Sequence, residues 1–103
     1  MAGGQEAAQA VAIIMAFWKI ILAPQAEDQL ANLPRKQQQL IDKAIERMSE
    51  NPFSGDVQAL QGKRWKGRYR KRVGQYRLIF IPYHTQRQLE ISAILARSEK
   101  TYR

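Results

Sequence analysis

Gly67-Arg68-Tyr69-Arg70-Lys71-Arg72-Val73-Gly74-Gln75-Tyr76-Arg77-Leu78-Ile79-Phe80 is the stretch from which the fold is read. A cationic, aromatic run meets Gly74-Gln75 and then an apolar, β-branched run. That order spells strand, tight turn, strand. The first strand is placed at about Trp65–Val73 and the second at Tyr76–Tyr83, with Pro82 near its end. His84-Thr85-Gln86-Arg87 makes the next turn. A third strand follows at Gln88–Ala96, where Leu89, Ile91, Ala93 and Leu95 alternate toward one face.

Working upstream, Phe17-Trp18-Lys19-Ile20-Ile21-Leu22 is aromatic and β-branched and reads as a strand. Pro24 suits the first turn of a helix, where its missing N–H costs nothing, and Glu27-Asp28 complements the helix dipole. Ala26, Leu30 and Leu33 fall at helical spacing. Pro34 breaks that helix and opens the next, whose Leu40, Ile41, Ala44, Ile45 and Met48 trace one buried face until Asn51-Pro52. Asn51–Gly62 reads as a loop with a short turn at Val57–Leu60. The expectation is an α+β domain: an N-terminal strand and a helical hairpin packed on a mainly antiparallel four-stranded sheet. Met15-Ala16-Phe17 looks like a natural chain start. Residues 1–14, rich in Ala, Gln and Gly, are expected to be an extension, and residues 15–103 a single domain.

At 103 residues the chain has the length of one domain, with 45% hydrophobic and 25% charged residues, an ordinary globular balance. It has no cysteine, which excludes a disulfide framework and any thiolate metal site. No other His/Cys/Asp cluster has ligand spacing, and no phosphate-cradling glycine loop is present, so no metal and no cofactor is expected. The apolar stretch Val11–Ala23 is interrupted by Lys19, ended by Pro24 and too short to span a bilayer. Met1–Ala10 carries no Lys or Arg, so it lacks a signal peptide's basic region. A cytoplasmic protein without a membrane partner is expected.

The net charge is +8, and it is unevenly placed. Residues 1–56 hold five basic and seven acidic side chains, whereas residues 57–103 hold twelve basic and two acidic ones. A polyanion is the natural partner of such a C-terminal half, and an acidic protein is the alternative. Alternation along the expected strand would put Lys66, Arg68, Arg70 and Arg72 on one face. Four cations in a row repel unless an anion lies among them, so the row reads either as a phosphate-tracking groove or as a solvated face beside an acidic partner. Arg77 follows the turn and should lie close to Arg72 across the hairpin. Arg97 stands in phase with the apolar row of the last strand. His84 falls in a turn at the far end and is expected to be a surface residue. Trp65 and Tyr69 are expected in the core, Glu90 has no carboxylate near it in sequence, and Tyr83 is left unassigned.

The quoted stretch, with Arg72-Val73-Gly74-Gln75-Tyr76-Arg77 leading into an apolar strand, resembles the signature of the RelE/ParE superfamily of bacterial toxins. The tail Ala96-Arg97-Ser98-Glu99-Lys100-Thr101-Tyr102 is similar to that family's C-terminal arginine and nearby tyrosine. The helical hairpin, the Asn51-Pro52 loop and the closing strands also come in the family's order, so the resemblance covers about Phe17–Arg103. It implies the toxin of a type II toxin–antitoxin system, in the RelE-like branch a metal-independent endoribonuclease cutting mRNA on the ribosome. The resemblance then points to Arg70, Arg72, Arg77, Arg97 and Tyr102 as the catalytic set, and groups Lys63, Lys66, Arg68 and Lys71 with RNA binding. It further implies a cognate antitoxin, the ribosome and mRNA as partners. Where other members carry lysines on the basic strand, this chain has arginines, which keep the charge but hold their protons. Tyr102 is therefore the candidate base. The ParE branch, whose members inhibit DNA gyrase without cleaving anything, is the alternative.

Overall fold

The computed structural model describes residues 17–96. Strand β1 is Lys19–Leu22, helix α1 Pro24–Ala31 and helix α2 Arg35–Glu50. Strands β2 (Val57–Ala59), β3 (Tyr69–Val73), β4 (Tyr76–Tyr83) and β5 (Gln88–Ala96) follow, with a 3-10 turn at Lys63–Trp65 between β2 and β3. The α+β reading stands, with a five-stranded sheet in place of the expected four.

Each helix is bounded by its sequence. Pro24 opens α1, Glu27 sits in its first turn, and Ala26 is fully buried. Asn32 closes α1, its backbone N–H and side-chain amide both donating to the Asp28 carbonyl. Helix α2 buries Ile41, Ala44 and Met48. Leu40 does not join them: it is 41% exposed, at the margin of the buried stripe, and reaches the β3–β4 turn instead. Asn51 ends α2, and its side-chain oxygen accepts from the Phe53 N–H at 3.0 Å, directing the chain toward β2.

The strand order is β1-β5-β4-β3-β2, with β1 parallel to β5 and every other pair antiparallel. The helical hairpin carries the chain from β1 at one edge of the sheet to β2 at the other, and β5, reached through β3 and β4, returns to lie parallel beside β1. Ala26, Ile41 and Met48 of the helices meet Leu78, Phe80, Leu89, Ile91 and Ile94 of β4 and β5 in one core, so both helices cover the same sheet face. Gly74, at φ +58, supplies the positive φ that the two-residue β3–β4 turn demands.

Three expectations need correction. Val57–Ala59 is a strand, not a turn: it pairs with Lys71, Arg70 and Tyr69 of β3, a tertiary contact that three residues cannot advertise in their own pattern. Strand β3 begins at Tyr69, because the 3-10 turn and Gly67 at φ +78 occupy the segment before it. Strand β5 does not alternate throughout. Ile79 pairs with Ala93 and Phe80 with Ile91, which leaves Ser92 as the extra residue of a bulge. The Ser92 hydroxyl donates to the Ile79 carbonyl at 3.2 Å. Beyond the bulge the faces exchange: Leu89, Ile91 and Ile94 enter the core, while Ala93 and Leu95 turn to the opposite face.

Candidate nucleic-acid interface

The face of the sheet away from the helices carries the arginines. On β3, Tyr69 and Val73 pack on the core, so Arg70 and Arg72 project the other way. On β4, Leu78 and Phe80 are core, which places Arg77 and Ile79 beside them. Arg72 and Arg77 are direct cross-strand partners, as the hairpin reading expects. Two cations opposed across a hairpin disfavour the pairing by themselves. The groove they occupy is lined by Gln58, Ala59, Leu60, Gln61, Arg70, Arg72 and Arg77. Strand β2, in the segment expected to be a short turn, supplies one wall.

Asp56 modifies the expected cationic row. Arg70 Nη1 donates to its carboxylate at 3.1 Å and to its backbone carbonyl at 3.2 Å. Arg72 Nε lies 3.7 Å from the other carboxylate oxygen. Arg70 is 8% exposed and committed to this contact, whereas the Arg72 side chain is 50% exposed and loosely held. The anion that the row calls for is thus partly supplied by the chain itself. Arg70 becomes a pin between β3 and the start of β2, and Arg72 is the guanidinium able to turn toward a ligand.

The other basic positions separate. Lys71 lies on the helix-facing side, 7% exposed, with its amine donating to the Ser54 carbonyl. Burial pulls its pKa below the ordinary 10.5, Arg47 adds to that effect, and Asp56 opposes it. Lys71 is therefore turned away from the arginine groove with which it had been grouped. Lys63 and Lys66 belong to the 3-10 turn and its end, both exposed, so they do not extend the β3 row. Arg68 precedes β3, its guanidinium 6.0 Å from the Trp65 ring centroid and its Nη1 donating to the Arg64 carbonyl at 3.2 Å. Of the four cations expected on one strand face, only Arg70 and Arg72 share it by alternation. Arg97 and Tyr102 lie outside the described residues.

Trp65 is not in the core. It is half-buried and shares a second groove with Arg64, Arg68, Ile79, Ser92, Ala93 and Leu95. Tyr69, by contrast, packs on the core as expected, stacked on Phe80. Tyr83 donates to Glu90 at 2.9 Å, and this hydrogen bond raises the pKa of its phenol above the ordinary 10.0. Tyr83 is thereby a poor source of tyrosinate. His84 is exposed in the β4–β5 turn, stacked on Phe53 and edge-on to Trp18, remote from the arginine pair. Among the described residues no group of three or more His, Cys, Asp or Glu could hold a metal ion. No described helix is long and apolar enough to cross a membrane.

Residues 20–101 match the family model of the ParE toxin of the type II toxin–antitoxin system parDE. The chain belongs to the ParE toxin family. A search of the curated proteins finds no match. Among solved structures, this ParE-family toxin is similar to a chain of the archaeal RelE–RelB complex from Pyrococcus horikoshii OT3. The TM-score is 0.68 at 20% identity, over 81% of the toxin and 98% of that chain. It is similar to a chain of the toxin–antitoxin complex RelBE2 of Mycobacterium tuberculosis, with TM-score 0.69 at 20% identity over 79% and 99%. A YoeB/ParE toxin from Agrobacterium tumefaciens gives 0.65 at 17% identity over 76% and 96%. At such identities the likeness is one of fold.

Proposed function

We propose that this toxin stops translation by cutting mRNA on the ribosome. The observation that carries the reading is the Arg72–Arg77 pair, opposed across the β3–β4 hairpin on the sheet face that the helices leave uncovered. Forked guanidinium groups match phosphate oxygens two at a time. Cleavage follows from attack of the 2′-oxygen on the adjacent phosphorus. The P–O bond to the 5′-oxygen breaks, leaving a cyclic phosphate, and the departing 5′-oxygen takes up a proton to become the free hydroxyl. Arg72 and Arg77 stabilise the charge that develops on the phosphorane, and Arg70 adds field from its seat against Asp56. Arginine holds its proton, so another group must take the one from the 2′-hydroxyl. The resemblance assigns that step to Tyr102 and a further phosphate contact to Arg97. In the antitoxin complexes named above a RelE chain is held by its partner. A cognate antitoxin with an acidic segment over the basic face is proposed here too.

The test is a reconstituted translation reaction receiving the purified full-length chain, with a second tube holding the same RNA without ribosomes. Cuts at codons in the translating tube alone are expected, and an intact message in both would sink the reading. The match to the ParE family favours one other reading, inhibition of DNA gyrase without cleavage. A supercoiling assay on the same preparation reads it directly.

A further inference from the structure

Trp65 takes no part in the arginine groove and lines a separate one. It is a large aromatic residue held off the hydrophobic core, half-buried in a groove on the sheet face opposite that core, with Gln25 of α1 at its margin. The 3-10 turn Lys63–Trp65 presents it, and the Arg68 contact to the Arg64 carbonyl closes that turn. The guanidinium carbons of Arg64 and Arg68 stand 5.5 and 6.0 Å from its ring centroid. The floor beneath is Ala93 with the nearly buried Ile79 and Leu95, and Ser92 of the β5 bulge, whose hydroxyl donates to the Ile79 carbonyl, can still accept through its oxygen. An aromatic plate flanked by two cations over an apolar floor with one polar group fits a nucleobase together with its phosphate.

Strand pairing sets this groove next to the arginine pair, although the two share no lining residue. Ile79 is the cross-strand partner of Arg70, and Leu95 that of Arg77. Arg77 and Ile79 are two residues apart on β4, about 7 Å along the strand, which is comparable to the reach of a single nucleotide. A strand of RNA whose phosphate lies between Arg72 and Arg77 therefore brings a neighbouring base over the Ile79–Leu95 floor.

We infer that Trp65 is the stacking plate of a base subsite beside the scissile phosphate, with Arg64 and Arg68 holding the flanking phosphate of single-stranded RNA. This rests on the nuclease reading and deepens it. The larger π-face of a purine stacks better on indole than a pyrimidine does, so the subsite favours a purine next to the cut.

The experiment compares the full-length wild type with Trp65→Phe and Trp65→Leu in the translation reaction, mapping cut sites and rates over a message with all bases at the flanking position. Phenylalanine keeps a π-face, and leucine fills apolar space without one, so the pair separates stacking from packing. Expected is a wild-type purine preference retained by Trp65→Phe. Trp65→Leu should cut roughly tenfold more slowly with the preference gone. Thermal unfolding of both variants accompanies the mapping and is expected to stay close to wild type. Equal rates and patterns in the two variants would overturn the subsite while leaving the nuclease reading standing. An uncut message with the wild type marks the failure of the nuclease reading itself, and the subsite falls with it.

Discussion

At the scale of single residues, neighbouring positions on β3 have taken different tasks, and exposure tells them apart. Arg72 is half-exposed and 3.7 Å from Asp56, so its replacement removes little from the folded state. Arg72→Ala is expected to lower the cleavage rate about a hundredfold, in the range of a lost transition-state donor. Its urea midpoint should shift by less than the equivalent of ~1 kcal/mol. Arg70 is buried against the same carboxylate, and Asp56→Ala strips that guanidinium of its counter-charge. A loss of about 2 kcal/mol in urea unfolding is expected for Asp56→Ala; an unchanged midpoint would contradict the pinning role. Lys71 gives a pH signature. Its folded pKa is lowered, so between that value and the ordinary 10.5 the unfolded chain binds more protons and stability rises with pH. The cost of burying its charge is fully present at neutral pH and relieved toward 10.5. Wild type minus Lys71→Met should therefore gain stability as urea titrations move from pH 7 into that alkaline window.

At the scale of elements, the β3–β4 hairpin is the part on which the fold turns. Gly74 holds φ +58, and a Cβ there would stand 3.2 Å from Leu40 Cδ2. Gly74→Ala is expected to cost about 1–2 kcal/mol in thermal unfolding. Adding Leu40→Ala should recover only the steric part, because the backbone strain belongs to the turn. This hairpin was legible because Gly74-Gln75 and the runs beside it are local signals, and the helices were legible from their prolines and apolar spacing. The Ser92 bulge was not legible. Ala93 and Leu95 continue the alternation of Leu89 and Ile91 in sequence, and only the pairing with Ile79 and Phe80 shows where a residue is left over. Strand β2 was missed for the same reason, since its three residues owe their conformation to β3. The arginine pair was found because its two members face each other across a two-residue turn. Trp65 was misplaced because alternation was run backward past Gly67 into a segment that is not strand.

At the scale of the whole molecule, charge is partitioned as the sheet is. Among the described residues, 57–96 carry nine basic side chains against the single acid Glu90, on and between the strands, while the two helices are close to neutral, with five acidic and four basic residues. An electrostatic footprint of this kind is measured by the salt dependence of binding. If the uncovered face meets RNA phosphates in the ribosome, ribosome affinity should fall steeply as salt rises. Arg72→Ala should then flatten the logarithmic slope by about one unit, the signature of one lost phosphate contact. Arg35, exposed at the start of α2, is the control: Arg35→Ala removes the same charge from the molecule but not from that face. Co-sedimentation across a salt series separates the two cases. Equal slopes for the two variants would mean that net charge, not the face, governs association. A flatter slope for Arg72→Ala alone assigns the contact to the groove between β3 and β4.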